Sequence, residues 1–236
     1  MPAVAEHEAL VVIGAHDHGP PPKGMFSVAI RTEQSPDPGG RSLDAVHSAY
    51  DAVLDIHEER AKETGARWIP GWSEFEAVDL AALDRPREVN LFWYGTMTPR
   101  RGEIVGKVAK QIHIEGPTSF LGGEDKRRAL LDSKIVLIVH AYDCPGPEPF
   151  RYAEAAACGA LIVSEHSKDS TPWVAGEHLV EADPDHLGEA CRAILEKWDQ
   201  AKPMRLRALD LAVRKHRALH AAEVINTLLQ ERPCPV

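Results

Sequence analysis

Cysteine is scarce in this chain. Four residues, Cys144, Cys158, Cys191 and Cys234, lie far apart among 236. None forms a C-x-x-C pair, which argues against a zinc or dithiol centre. Reduced thiols and a cytoplasmic location are the expectation. Long apolar runs are also lacking, so no membrane-spanning helix is expected. No basic region precedes the first apolar stretch, which argues against a secretory signal. The G-x-G-x-x-G turn of dinucleotide-binding proteins does not follow the first strand candidate, where the chain reads GAHDHG. Positive charge is in deficit: 27 Lys and Arg face 36 Asp and Glu, a formal net charge of −9. Wholesale nucleic-acid binding is therefore disfavoured. Local basic clusters at Arg100 and Arg101, at 126–128 and at 205–217 leave room for a basic groove.

What is present is the composition of an ordinary globular protein, 44% hydrophobic and 27% charged. Strand-like segments fall at 8–15, 26–34, 52–57, 66–72, 89–95, 111–116, 134–142 and 160–165. Helical periodicity falls at 42–50 behind Ser42 as N-cap, then at 58–65, 99–110, 123–133, 149–158, 184–200 and 204–231. This alternation predicts an α/β protein with parallel sheets, because parallel strands need crossover connections. The polar, proline-marked stretch 74–88 reads as a linker. We therefore expect a small N-terminal Rossmann-like domain over 1–84 and a second over 85–200. A helical tail over 201–236 would pack back on them. The basic first half of that tail reads as a solvated face.

Chemistry concentrates at the predicted strand ends. The segment Gly95-Thr96-Met97-Thr98-Pro99-Arg100-Arg101 is a strand end, a tight turn and a helix start. Free N–H groups at a helix N-terminus attract anions, and an arginine adds a planar fork that suits phosphate. A turn with surface arginines fits the same residues. Further on, Glu148, Arg151 and Glu154 share one side of the helix at 149–158. They suit ribose and sugar hydroxyls, or an ordinary ion pair. Gly159 reads as a C-cap glycine. Glu165 ends the next strand, with Ser164 and Ser167 beside it.

The stretch Val89–Glu165, with LFWYGTMTPRR, SKIVLIVHAY and EPFRYAEAAACGALIVSE, resembles the nucleotide-sugar-binding domain of GT-B glycosyltransferases, specifically the family-4-like group (glycosyl transferases group 1). The resemblance implies two Rossmann-like domains with a cleft between them. It also implies a nucleotide-sugar donor, with a UDP-sugar expected. By that resemblance Gly95, Thr96 and Arg100 or Arg101 meet the donor diphosphate, Glu154 binds ribose, and His113 lies near the base. Glu148 and Arg151 organise the sugar side. The family's first glutamate would fall at Gly146 here, so Glu148 is its nearest substitute. A Glu-x-x-Arg followed by V-S-E is similar to a subgroup of small members, which adds Glu165. His16 or His18, in the first loop, and Glu33, at a strand end, are candidate cleft residues. Trp72 and Trp173 are candidates for stacking on a sugar or base.

The function this implies is transfer of a sugar from a nucleotide sugar to an acceptor, with retention and without a metal or other cofactor. The acceptor is a small molecule, a glycan or a modified DNA base. The competing expectation is a GT-B-like protein that binds a nucleotide or glycan without turnover.

Overall fold

The computed structural model describes residues 9–14, 20–32, 48–116, 121–143 and 146–231. His16, His18, Glu33, Ser42, Cys144 and Cys234 lie outside them. Contacts divide the chain into two units, residues 1–69 with 222–236, and residues 70–221.

The first unit carries a parallel sheet of β1 (Ala9–Ile13), β2 (Phe26–Arg31), β3 (Ala52–Asp55) and β4 (Arg67–Trp68), in that spatial order. Val28, Ala29, Ile30 and Leu54 are fully buried in its two central strands, as expected for strands covered on both faces. Helix α1 (Glu58–Thr64) ends at Gly65, whose φ of 70° is left-handed. Asp55, at the end of β3, is fully buried and held by Arg60 Nε at 2.6 Å and by the His57 amide at 2.8 Å.

The second unit contains β5 (Val89–Trp93), α2 (Pro99–Ala109), α3 (Gly123–Asp132), β6 (Ser133–Ile138), α4 (Pro149–Ala157), β7 (Leu161–Glu165) and β8 (Val180–Ala182). After them come α5 (Leu187–Glu196), α6 (Lys202–Lys215) and the start of α7 (Ala218–Glu231). The sheet order is β5-β6-β7-β8, all parallel. On the far side of β5, Glu115 makes an isolated parallel bridge to Phe92, with Glu115 N–H donating to Leu91 O at 2.8 Å. The segment expected as a strand at 111–116 is reduced to this bridge.

That bridge matters for topology. The chain steps from β5 outward to Glu115, then back past β5 to β6. Alternate residues of β5 accordingly feed two cores. Leu91 and Trp93 pack with Ile104 and Val108 of α2 and Leu187 of α5. Phe92 and Tyr94 pack with Leu130 of α3, Tyr152 of α4 and Leu211 of α6. The sheet is doubly wound, and its direction reverses between β5 and β6. Ligands of such sheets bind outside the carboxyl ends of the strands at this reversal.

Three expectations are corrected. Residues 74–88 are not a linker: Val78 N–H donates to Ala157 O at 2.8 Å, Leu83 is buried, and buried Arg87 reaches Ser133 O at 2.6 Å and Cys158 O at 2.8 Å. Long-range partners for their polar groups bind them to the second unit, so the division falls after Ile69 rather than after residue 84. The tail is two helices, because the His216 carbonyl is taken by Ser73 N–H at 2.8 Å and Arg217 bridges to Ser73. Its Arg205 is buried rather than solvated, donating to Gly159 O at 2.8 Å and Leu83 O at 2.9 Å. Strand β8 lies in a stretch for which no element was expected; it is short and half-buried, with little periodicity to betray it.

Candidate active site

The reversal point is flanked by two helix starts. α2 follows β5, and α4 follows β6. Thr98 caps α2: its side chain accepts from the Arg101 amide at 3.2 Å, and Pro99 occupies the first turn. The same hydroxyl donates to Ala141 O at 2.9 Å, which ties the helix start to the end of β6. Glu148 occupies the N-cap position of α4 but makes no side-chain cap. Its carboxylate turns instead toward Arg101, Nη2 to Oε1 at 2.7 Å, and a charge-assisted pair thus joins the two helix starts.

The arginines expected to share one role are placed differently. Arg101 is buried and uses its whole fork internally, with Nε donating to Val139 O at 2.8 Å, Nη1 to Thr96 O at 2.9 Å and Nη2 to Glu148. Burial and then the neighbouring Arg151 charge push its pKa down, and Glu148 opposes them. Arg100 is a quarter exposed, and its Nη1 donates to Glu165 Oε2 at 2.9 Å and His140 O at 3.1 Å. Arg151, in the first turn of α4, has its guanidinium 5.5 Å from the Tyr94 ring centroid and Nη1 3.6 Å from Glu148 Oε1.

Glu165 is buried at the end of β7. Its Oε2 also accepts from the His140 amide at 2.7 Å, while Oε1 has no hydrogen-bond partner among the described residues. The His140 ring is buried, with Nδ1 3.5 Å from Glu165 Oε2 and Nε2 3.3 Å from Ser167 Oγ. Burial lowers its pKa more than Glu165 raises it, so the ring is neutral near pH 7. Tyr152 O–H lies 3.0 Å from Ser164 Oγ and completes a polar line behind β7.

Glu154 sits deeper and is 7% exposed. Its Oε2 accepts from Tyr94 O–H at 2.7 Å and its Oε1 from Lys126 Nζ at 2.8 Å; Lys126 also pairs with Glu74. Burial disfavours the Lys126 charge, but its two carboxylate partners outweigh that and raise its pKa. Burial and Glu154 hold the Tyr94 hydroxyl well above its usual range. Both Glu154 oxygens thus already accept a hydrogen bond within the protein.

Gly95 and Thr96 lie in the turn after β5, and a Cβ on Gly95 would stand 2.8 Å from Arg151 Nη2. His113 is exposed and pairs with Glu115 at 3.0 Å; no contact ties it to the arginine cluster. Trp72 packs edge-on against Phe150. Trp173 is core, buried against Tyr152 and His216. Sequence reasoning missed Tyr94, Lys126 and Glu74, for which it carries no local signal. It could have found Thr98, since a threonine directly before an N1 proline is a legible helix start. Among the described residues no group of three or more His, Cys, Asp or Glu is placed to hold a metal ion, and no helix is long and apolar enough to cross a membrane.

Two Rossmann-like parallel sheets with flanking helices define a GT-B-type fold, and the comparisons agree. Residues 91–227 match the glycosyl transferase-like family, and the chain belongs to it. By class it is a glycosyltransferase. Solved structures share the two-sheet fold. HepE of Anabaena, solved with UDP and glucose, has 12% identity and a TM-score of 0.64 over 87% of this chain and 72% of its own. Sucrose-phosphate synthase of Thermosynechococcus elongatus has 15% identity and a TM-score of 0.62 over 88% and 68%. TarM of S. aureus has 11% identity and a TM-score of 0.62 over 88% and 51%. At these identities the likeness is one of fold. Among curated proteins, none matches the chain.

Proposed function

We propose that the chain transfers a sugar from a UDP-sugar to an acceptor in the cytoplasm, with retention and without a metal or other cofactor. The acceptor is a small molecule or a glycan. The observation that carries this reading is the convergence of the capped α2 N-terminus with Arg100, Arg101 and Arg151 at the sheet's reversal point, in a chain of the glycosyl transferase-like family. Departure of a nucleoside diphosphate concentrates negative charge on phosphate oxygens. Fixed positive charge gathered at that place stabilises the transition state, and loss of one contact to the developing charge costs about 3–4 kcal/mol. The backbone at Gly95 and Thr96 would line the phosphate side, and Glu148, Arg151 and Glu165 the sugar side. Glu154 would meet the ribose, and His113, Glu33 and His16 stay as weaker candidates for base and acceptor contacts. HepE solved with UDP-glucose supports the choice of donor.

A DNA acceptor gains no support. The basic tail that would touch phosphates has Arg205 buried, Arg207 on Glu177 O and Arg214 on Asp210.

The test is incubation with UDP-, GDP- and dTDP-sugars, with release of nucleoside diphosphate measured with and without candidate acceptors. UDP release from one UDP-sugar is expected. Absence of release with every donor and acceptor overturns the reading.

A further inference from the structure

Three arginines surround the reversal point, and they differ in what already holds them. Arg101 spends Nε, Nη1 and Nη2 on two carbonyls and Glu148. Arg100 is bound to Glu165 and to the His140 carbonyl. Arg151 is mostly buried, its side chain 18% exposed, yet no hydrogen bond ties its guanidinium to the described residues. Its Nη1 is buried without a hydrogen-bond partner among the described residues; Glu148 Oε1 at 3.6 Å makes an ion pair but is too far for a hydrogen bond. Glu148 is already committed at 2.7 Å to Arg101. A guanidinium taken from water without hydrogen bonds is costly, and buried polar groups in native proteins are otherwise nearly all paired.

The neighbouring backbone makes room for this side chain. Gly95 has φ of +146°. A Cβ there would stand 2.8 Å from Arg151 Nη2 and 3.1 Å from its Cζ and Nη1. The glycine lets the guanidinium approach the turn after β5, with the Tyr94 ring centroid 5.5 Å away. The same turn leads through Thr98, which caps α2, into that helix.

Resting on the nucleotide-sugar reading above, we infer that Arg151 is the cation that binds a non-bridging oxygen of the diphosphate. Gly95 is the residue that admits its guanidinium, and Arg101 is a positioning residue that fixes the Thr96 carbonyl and Glu148 rather than a phosphate ligand. The phosphate contact thus comes from α4 rather than from the Arg100-Arg101 pair of α2.

The test measures binding of UDP, uridine and inorganic pyrophosphate by calorimetry, with thermal unfolding of each variant. Arg151→Met keeps the aliphatic packing. It is expected to weaken UDP and pyrophosphate about 10- to 100-fold, the loss of one charge-assisted contact. Uridine affinity and the unfolding temperature stay near those of the parent, and Arg151→Lys recovers part of the loss. Gly95→Ala is expected to weaken UDP and pyrophosphate as well, because its Cβ would displace the Arg151 guanidinium. Arg101→Met chiefly lowers the unfolding temperature. The inference is overturned if Arg151→Met binds UDP and pyrophosphate within twofold of the parent, or if the parent binds neither. Pyrophosphate binding that depends on Arg151, with no sugar-donor turnover, would sustain the inference while the transferase reading fails.

Discussion

Gly159 offers the sharpest quantitative test of how the site helix is held. It follows α4 with φ of +69°. Gly159 N–H donates to Ala156 O and Ala160 N–H to Ala155 O, both at 2.9 Å, the pair of bonds that closes a helix in a Schellman motif. In Gly159→Ala two costs add. The left-handed backbone costs a non-glycine residue about 1–2 kcal/mol. The new Cβ would also stand 2.6 Å from Leu83 Cδ2 and 3.0 Å from Arg87 Nη2. Leu83 is buried, and Arg87 is bound to Cys158 O, so neither moves freely. Overpacking of this kind costs about 1–3 kcal/mol. The sum is about 2–5 kcal/mol, to be read from urea denaturation. Gly176→Ala is the matched control, with φ of +80° and open space around its Cβ, so it pays the backbone cost alone. The difference between the two variants isolates the packing cost. Should they differ by less than about 0.5 kcal/mol, Gly159 is a conformational glycine only and the packing argument fails.

Tyr94→Phe removes a 2.7 Å hydrogen bond to a buried carboxylate and should cost about 1.5–3 kcal/mol by denaturation; a cost under about 0.5 would mean that Lys126 alone satisfies Glu154. His216 is buried with Nδ1 against Gly71 O, and burial takes its pKa from 6.5 down to about 4. On acidification the unfolded chain takes up this proton near 6.5 and the folded chain only near 4. Stability should therefore be full above pH 6.5 and fall by up to about 1.4 kcal/mol per pH unit between those values, a slope that His216→Gln should flatten. Burial pushes the thiols of Cys158 and Cys191 up to about 12, so iodoacetamide at pH 8 should leave both unmodified in native protein and alkylate them in urea, as read by mass spectrometry.

The sequence by itself determined the local elements and their order. The apolar runs of β5, β6 and β7, the proline at the start of α2 and the glycine after α4 are each read within a few residues. Hydrophobic period, capping and left-handed turns are properties of a short stretch of chain. The carboxyl edge of that sheet was therefore legible as the place for chemistry. Partner choice was not, because it is made across long sequence separations. Adjacent Arg100 and Arg101 carry the same charge in the same helical turn, yet one meets Glu165 and the other is drawn inward to Val139 O and Glu148. Glu154 was recognisable from its spacing to Gly159, but nothing nearby shows that Tyr94 and Lys126 would take both its oxygens. The break between α6 and α7 likewise comes from Ser73, a residue far away in the chain. Tertiary structure alone decided which buried charges find partners, and it left Arg151 Nη1 without a hydrogen bond among the described residues, since a hydrogen bond within the protein depends on which strands and helices arrive at the same point.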